Sequence, residues 1–189
     1  LRDQGKLDKA IQAYNKALSL NPNDAIIYNN MGNAHQDIGM LDKAIEAYNK
    51  ALSLKPDYAE AYSNMGNTLQ KLGRLDEAVA SYTQAITLKP DYAIAHNNLG
   101  TTLQELGRLN EAVASYTQAI ILEPDYAMAH KHLTSIKKFD RQDEQYSKMQ
   151  ELYLDKNISE EKLCLINFGL AKACEDLGKF EQAYKYYSE

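Results

Sequence analysis

Between residues 59 and 92 the apolar rhythm breaks once and resumes. Tyr62, Met65, Gly66, Leu69 and Leu72 fall at i, i+3, i+4, i+7 and i+10, the stripe of an amphipathic helix. Gly73 follows, suited to a left-handed helix cap. A second stripe runs through Val79, Tyr82 and Ile86, with Ala78 and Ala85 between them; Asp76 is placed to cap its start and Pro90 to stop it. The two-residue alternation of a strand is missing, and Val79 and Val113 are the only valines. The pattern predicts a helical hairpin. Helices of about 13 residues are marginal alone in water, so each hairpin must bury its remaining face against a neighbour.

The same solution recurs. LGRLDEAVASYTQAI at Leu72 to Ile86 returns as LGRLNEAVASYTQAI at Leu106 to Ile120, with only Asp76 becoming Asn110. Gly5, Gly39, Gly73 and Gly107 are 34 apart, as are Pro22, Pro56, Pro90 and Pro124. Ala10, Ala44, Ala78 and Ala112 keep that step of 34, as do Tyr14, Tyr48, Tyr82 and Tyr116, and Ala17, Ala51, Ala85 and Ala119. A fixed period of this length signals a repeat architecture. Gly66, Ala78 and Ala85 are expected to let the two helices approach, with Tyr82 filling the space beside them. The tyrosine column is expected in the core.

These residues carry a family likeness. Tyr62, Met65-Gly66, Gly73, Ala78, Tyr82, Ala85 and Pro90, repeated at one step, resemble the tetratricopeptide repeat over Leu1 to Tyr126. The resemblance implies an all-α fold, a right-handed superhelical solenoid of antiparallel helix hairpins. Residues 1–24 read as a partial repeat (its second helix), and 25–58, 59–92 and 93–126 as full repeats. The position this family usually gives to Trp or Tyr is Tyr28 and Tyr62, then His96 and His130, which read as core substitutes.

Beyond Ala127 the columns degrade. Thr134 and Arg141 stand where glycines are expected, and Tyr146 and Tyr153 where alanines are. Overpacking a tight crossing costs about 1 to 3 kcal/mol per site, so 127–156 is expected to be a degenerate hairpin, wider or differently crossed. Residues 157–189 read as a further divergent hairpin. There Asn157-Ile158-Ser159, formally a glycosylation sequon, reads as helix-start caps; Gly178 closes the first helix, and Phe180, Ala183 and Tyr187 restart the second. The stretch from KKFDRQDEQY to the end, about Lys137 to Glu189, resembles the connector of bacterial proteins that join tetratricopeptide repeats to a sulfotransferase domain. That likeness implies a catalytic domain outside this chain.

Composition narrows the function. With 189 residues, 44% apolar and 25% charged, the chain can bury a core. A net charge of -5 and four arginines (Arg2, Arg74, Arg108, Arg141) argue against nucleic acid. No apolar run approaches the roughly 18 to 20 residues that span a bilayer, and no signal-like start is present, so no membrane partner and a cytoplasmic location are expected. The chain begins at Leu1 in mid-phrase and reads as a fragment. Cys164 and Cys174, ten apart in one helix, are too distant for a disulfide and are expected to be buried apolar residues. His35, His96, His130 and His132 are the only histidines, and His130 and His132 point to different helix faces. No phosphate-binding glycine loop occurs. Neither catalysis nor a metal or other cofactor is expected of this chain.

The opposite face of each first helix is more informative. It reads Ile26, Asn29, Asn30, Asn33, Asp37; then Glu60, Ser63, Asn64, Asn67, Lys71; then Ile94, Asn97, Asn98, Thr101, Glu105, with Gln36, Gln70 and Gln104 alongside. Asparagine costs up to about 0.7 kcal/mol mid-helix against Ala, so something offsets it. Amides supply donor and acceptor together, which suits the backbone of an extended peptide; equally, they could tie one hairpin to the next. In repeat arrays of the O-linked N-acetylglucosamine transferase type an asparagine column holds peptide backbone, and Asn30, Asn64 and Asn98 occupy that column by resemblance. Chaperone-binding relatives hold a terminal carboxylate with Lys, Asn and Arg; the matching positions are Asn29, Asn33, Asn64, Ile94 and Asn98, without a cation, so no chaperone-tail recognition is expected.

The reading is a scaffold binding an extended protein or peptide segment in its inner groove through Asn29, Asn30, Asn33, Asn64, Asn67, Gln70, Asn97, Asn98 and Thr101. The rival is the non-catalytic substrate-recognition or oligomerisation arm of a larger sulfotransferase or O-linked glycosyltransferase. A third reading is a homo-oligomer formed through terminal repeats, because Ile11, Tyr14 and Leu18 lack the helix that would cover them.

Overall fold

A computed structural model describes residues 2–140 and 143–188. Among them it is all helical: α1 (Arg2–Leu20), α2 (Ala25–Asp37), α3 (Leu41–Leu54), α4 (Ala59–Lys71), α5 (Leu75–Leu88), α6 (Ala93–Glu105), α7 (Leu109–Leu122), α8 (Ala127–Ile136), α9 (Glu144–Leu154), α10 (Glu160–Asp176) and α11 (Phe180–Ser188). The chain divides into two compact units, Leu1–Thr102 and Leu103–Glu189. Among the described residues no helix is long and apolar enough to cross a membrane.

One turn chemistry closes most hairpins. Gly39, Gly73, Gly107 and Gly178 all have φ between 71° and 78°. At Gly73 the glycine N–H donates to the Gln70 carbonyl and Arg74 N–H to the Leu69 carbonyl, both at 2.9 Å. This Schellman pair satisfies the carbonyls a helix end would leave bare. The next helix starts two residues after the glycine, so the chain reverses almost at once. Gly5, in the same sequence column, instead lies inside α1, where the helix runs through it and no end needs capping.

That turn also corrects the expected cap at Asp76. The N-cap of α5 is Arg74, with no side-chain cap. Because the Schellman turn fixes the helix start at Leu75, Asp76 falls in the first turn, where its carboxylate meets the helix dipole. Arg74 instead grips Glu77 with two hydrogen bonds, 2.7 and 2.6 Å, on the exposed surface. Three helices that no glycine turn precedes are capped by side chains: Asp24 accepts from Ile26 and Ile27 N–H, Asp143 from Gln145 and Tyr146, and Ser159 from Lys162; α4 and α8 start at Tyr58 and Tyr126 without one.

In unit 1 the core is tyrosine lying on glycine between alanines. Tyr48, Tyr82, Ala44, Ala51, Ala78 and Ala85 have no exposed surface. A Cβ on Gly66 would stand 2.8 Å from Cε1 of Tyr82, and one on Gly32 would stand 2.5 Å from Cε1 of Tyr48. The glycine thus gives the ring a place to lie. Ile45, Met65 and Leu99 close over the cluster of Leu69, Ala78 and Tyr82. In α1, Ile11, Tyr14 and Leu18 are half-buried.

Unit 2 changes the device. Tyr116 is still fully buried, but Thr134 occupies the next glycine position and its hydroxyl turns back onto the His130 carbonyl at 2.6 Å. The filler there is Met149, fully buried, with its sulfur 3.8 Å from Thr134 Oγ1. The glycine that accommodates it is Gly169 on α10, where a Cβ would meet the sulfur at 2.7 Å. Met149 also joins Ile166, Leu170, Ala173 and Cys174 in this unit's core. Arg141, expected in a glycine column, lies outside the described residues. Cys174 is buried as expected, whereas Cys164 is exposed: near the start of α10 its side chain falls on the side away from Ile166 and Leu170.

Candidate functional site

The amide-rich face belongs to α2, α4 and the first part of α6, all in unit 1. Its residues divide by depth. Asn29, Ser63 and Asn97 are buried, at 5%, 2% and 4% exposure, so this column faces neighbouring helices and not solvent, against expectation. Asn30, Asn33, Asn64, Asn67, Gln70, Asn98 and Thr101 are half-buried.

These amides form ties between hairpins. Asn64 Nδ2 donates to Asn29 Oδ1 at 3.1 Å, linking α4 to α2. Asn98 Nδ2 donates to Asn67 Oδ1 at 3.0 Å, linking α6 to α4. Thr68 Oγ1 sits 2.6 Å from Gln36 Oε1 across the same α2–α4 seam. Within a hairpin the core tyrosine is held from the same face: Tyr48 donates to Asn33 Oδ1 and Tyr82 to Asn67 Oδ1, both at 2.7 Å. Burial pushes the Tyr48 hydroxyl well above the usual phenol range, so it remains a donor. In unit 2, Tyr116 turns to Gln104 Oε1 at 2.9 Å.

This geometry fixes which amide atoms remain. Asn67 Oδ1 accepts from both Tyr82 and Asn98, filling its two lone pairs. Asn33 and Asn67 therefore turn their oxygens inward, and their Nδ2 groups make no hydrogen bond among the described residues. Ile26 and Ile94, one turn before Asn30 and Asn98, are 57% and 49% exposed. The face offers half-buried amide donors beside apolar side chains.

The histidines have structural roles. Nε2 of His130 lies 3.0 Å from the Pro124 carbonyl, and Nε2 of His96 lies 3.1 Å from the Pro90 carbonyl. A carbonyl only accepts, so Nε2 carries the proton in both. His130 is fully buried, and burial holds its pKa below the usual value. His132 packs against the Tyr116 ring, centroids 5.4 Å apart. Among the described residues no group of three His, Cys, Asp or Glu converges on one point. The histidine clip to a proline carbonyl six residues upstream was legible in the sequence as the spacing Pro90–His96 and Pro124–His130. So was a cleft of about 510 Å³ lined by Ile120, Ile121, Leu133 and Gln145: Ile121 stands where the earlier repeats place Ser53 and Thr87.

Solved structures share this architecture. A crystal structure of MamA matches 99% of this chain and 92% of its own, with a TM-score of 0.67 at 24% identity. A second, of the MamA protein, matches 99% and 86% with a TM-score of 0.65, also at 24% identity. The first TPR of Spaghetti (RPAP3), bound to the HSP90 peptide SRMEEVD, matches 60% of this chain and 90% of its own, with a TM-score of 0.59 at 26% identity. No curated protein matches the chain. The TPR repeat model matches residues 1–39, 37–73 and 66–107, and the tetratricopeptide repeat model matches 93–126. With the glycine turns at Gly39, Gly73 and Gly107, the buried Tyr48, Tyr82 and Tyr116 and the 34-residue step falling inside those matches, the chain belongs to the tetratricopeptide repeat family.

Proposed function

We propose that this chain is a non-catalytic scaffold whose amide face in unit 1 holds an extended segment of a partner protein. Repeats of this family mediate protein–protein interaction, and the RPAP3 relative is bound to a peptide. The observation that carries the reading is the division of labour within the asparagines. Their oxygens are used by Tyr48, Tyr82 and Asn98, while Asn33 and Asn67 keep Nδ2 donors for a peptide carbonyl. Ile26 and Ile94 add apolar contact for alternate side chains of an extended strand. Asn29, Asn33, Asn64, Ile94 and Asn98 carry no positive charge, so the preferred segment is uncharged or apolar, unlike an acidic tail.

A displayed library of random peptides, selected on the full chain and on the Asn33→Asp, Asn67→Asp double variant, which keeps the oxygens used by Tyr48, Tyr82 and Asn98 and removes the Nδ2 donors, tests this. Neutral extended sequences enriched on the first and lost on the second, with the double variant still folded by circular dichroism, support the reading. Equal enrichment on both sinks it. The rival role, as recognition arm of a larger sulfotransferase or O-linked glycosyltransferase, rests on the resemblance of residues 137–189. Sequencing the reading frame that follows Glu189 separates the two.

A further inference from the structure

The amide face of unit 1 is unbalanced in its hydrogen-bonding chemistry. The oxygens of Asn30, Asn33, Asn67 and Asn98 already accept, from Asn29, Tyr48, Tyr82 and Asn97 respectively, and Asn67 Oδ1 accepts from Asn98 as well. The Nδ2 groups of Asn30, Asn33 and Asn67 donate to nothing among the described residues, and none of the three is sealed from solvent. Asn64 is the reverse case: its Nδ2 is engaged by Asn29 and its Oδ1 is left open. Among these five asparagines the face therefore presents donors on Asn30, Asn33 and Asn67 and an acceptor only on Asn64. An ordinary peptide brings one N–H per residue, whereas proline brings a carbonyl and no N–H. An N–H laid against oxygens that are already occupied gives up water and gains no partner. The complementary ligand is rich in carbonyls and poor in N–H groups.

Spacing says how that ligand is coiled. Asn33 on α2 and Asn67 on α4 are held in one pose, each by the tyrosine of its own hairpin at 2.7 Å. The two helices meet through the Asn64–Asn29 bond, so their axes lie about 8 to 10 Å apart. Two like-oriented donors at that separation match carbonyls three residues apart. In a β-strand, with its period of two, residues i and i+3 face opposite ways. In polyproline II, with three residues per turn and a rise of about 3.1 Å, they face the same way about 9 Å apart. Ile26 and Ile94 stand two first helices apart in one column, which is about six residues of the same helix and again the same side. Glu60, between them in that column, is paired with Lys89 at 3.4 Å and calls for no cation in the ligand.

We infer that the segment held by this face is proline-rich and bound as a polyproline II helix. Asn33 and Asn67 receive its carbonyls, Ile26 and Ile94 meet apolar side chains six residues apart, and one non-proline N–H between them reaches Asn64 Oδ1. This rests on the reading that the amide face holds a partner segment, and narrows it. Such a helix is preformed in the free ligand, so binding orders little.

Fluorescence anisotropy of labelled, acetylated and amidated nonapeptides on the full chain tests the inference. PLPPAPPLP has leucines six apart and a single alanine N–H midway; PLPPAPLPP has the same composition with leucines five apart; TLTTATTLT restores every N–H and favours the strand. One donor left unpaired is worth about tenfold in affinity or more. The first peptide is expected to bind at least about tenfold more tightly than the third and more tightly than the second, and Asn33→Asp, Asn67→Asp is expected to remove that preference. Should the double variant lose its fold by circular dichroism, the three peptides on the unaltered chain decide alone. Equal or tighter binding of TLTTATTLT overturns the inference and leaves the peptide-binding reading standing, as does a library selection that enriches neutral sequences free of proline. Binding of none of the three also overturns it, and the library selection then reads whether the broader proposal falls too.

Discussion

The ring of Tyr82 lies so close over Gly66 that a methyl group on the glycine would stand 2.8 Å from Cε1 and 2.9 Å from Cδ1 and Cζ. Gly66 is therefore required by packing, whereas Gly73 is required by its backbone, φ +73° with nothing within 4 Å. Gly5 is required by neither. Alanine at the three sites separates these causes. Gly66→Ala is expected to lose about 1 to 3 kcal/mol to overpacking, offset by up to about 1 kcal/mol of helix propensity. Gly73→Ala loses about 1 to 2 kcal/mol in the left-handed region, and Gly5→Ala gains up to about 1 kcal/mol. Urea denaturation midpoints read all three, and equal shifts would contradict the assignment.

The bond from Tyr82 to Asn67 Oδ1 should behave as part of a unit, because the same oxygen serves Asn98. Tyr82→Phe is expected to lose about 1 kcal/mol, and Asn67→Ala more, since it removes an acceptor shared by Tyr82 and Asn98. A double-mutant cycle should give a coupling of about 0.5 kcal/mol or more; strictly additive losses would mean the bond contributes nothing.

Depth predicts which asparagines matter for folding. Asn64→Ala leaves the buried Asn29 oxygen without its donor and should cost about 1 to 3 kcal/mol. Asn30 is half-buried and contributes only a 3.5 Å contact with Asn29, so Asn30→Ala should leave Tm nearly unchanged. Thermal melts of the two single variants decide it, and the reverse order would move the ties elsewhere.

His130 sets a pH dependence. Its Nδ1 is buried without a partner, so protonation would create a buried charge, and desolvation holds the folded pKa below 6.5. As pH falls below 6.5 the unfolded chain takes up the proton first, and stability is lost progressively down to the lowered folded value. His35 and His132 shift the same way, also chiefly by burial. Stability curves between pH 7.5 and 5 should flatten in part for His130→Tyr, the residue this column carries at Tyr28 and Tyr62. An unchanged slope would remove His130 from the account.

Within the repeat proper, the period marked out the helix pairs, the glycine turns and the buried tyrosines because each depends on local chemistry. A left-handed glycine, a proline stop and an apolar stripe act within a few residues. Asp76 was misread as a cap because the Schellman turn starts α5 at Leu75, a constraint that comes from the preceding helix end. The amides were legible as a column but not by depth. Asn29 and Asn30 are neighbours on α2, yet only the packing of α4 decides that the first is sealed in a seam and the second half open.

By itself, then, the sequence determined that this chain is a succession of helical hairpins at a step of 34, since hydrophobic period and turn chemistry are properties of the chain. Tertiary structure alone decided which amide atoms are consumed between hairpins, and that Met149 lies on Gly169 in unit 2 as the tyrosines lie on glycine in unit 1. Each of those outcomes depends on which surface a neighbouring helix occupies, and a linear pattern encodes the faces of a helix without saying what lies against them.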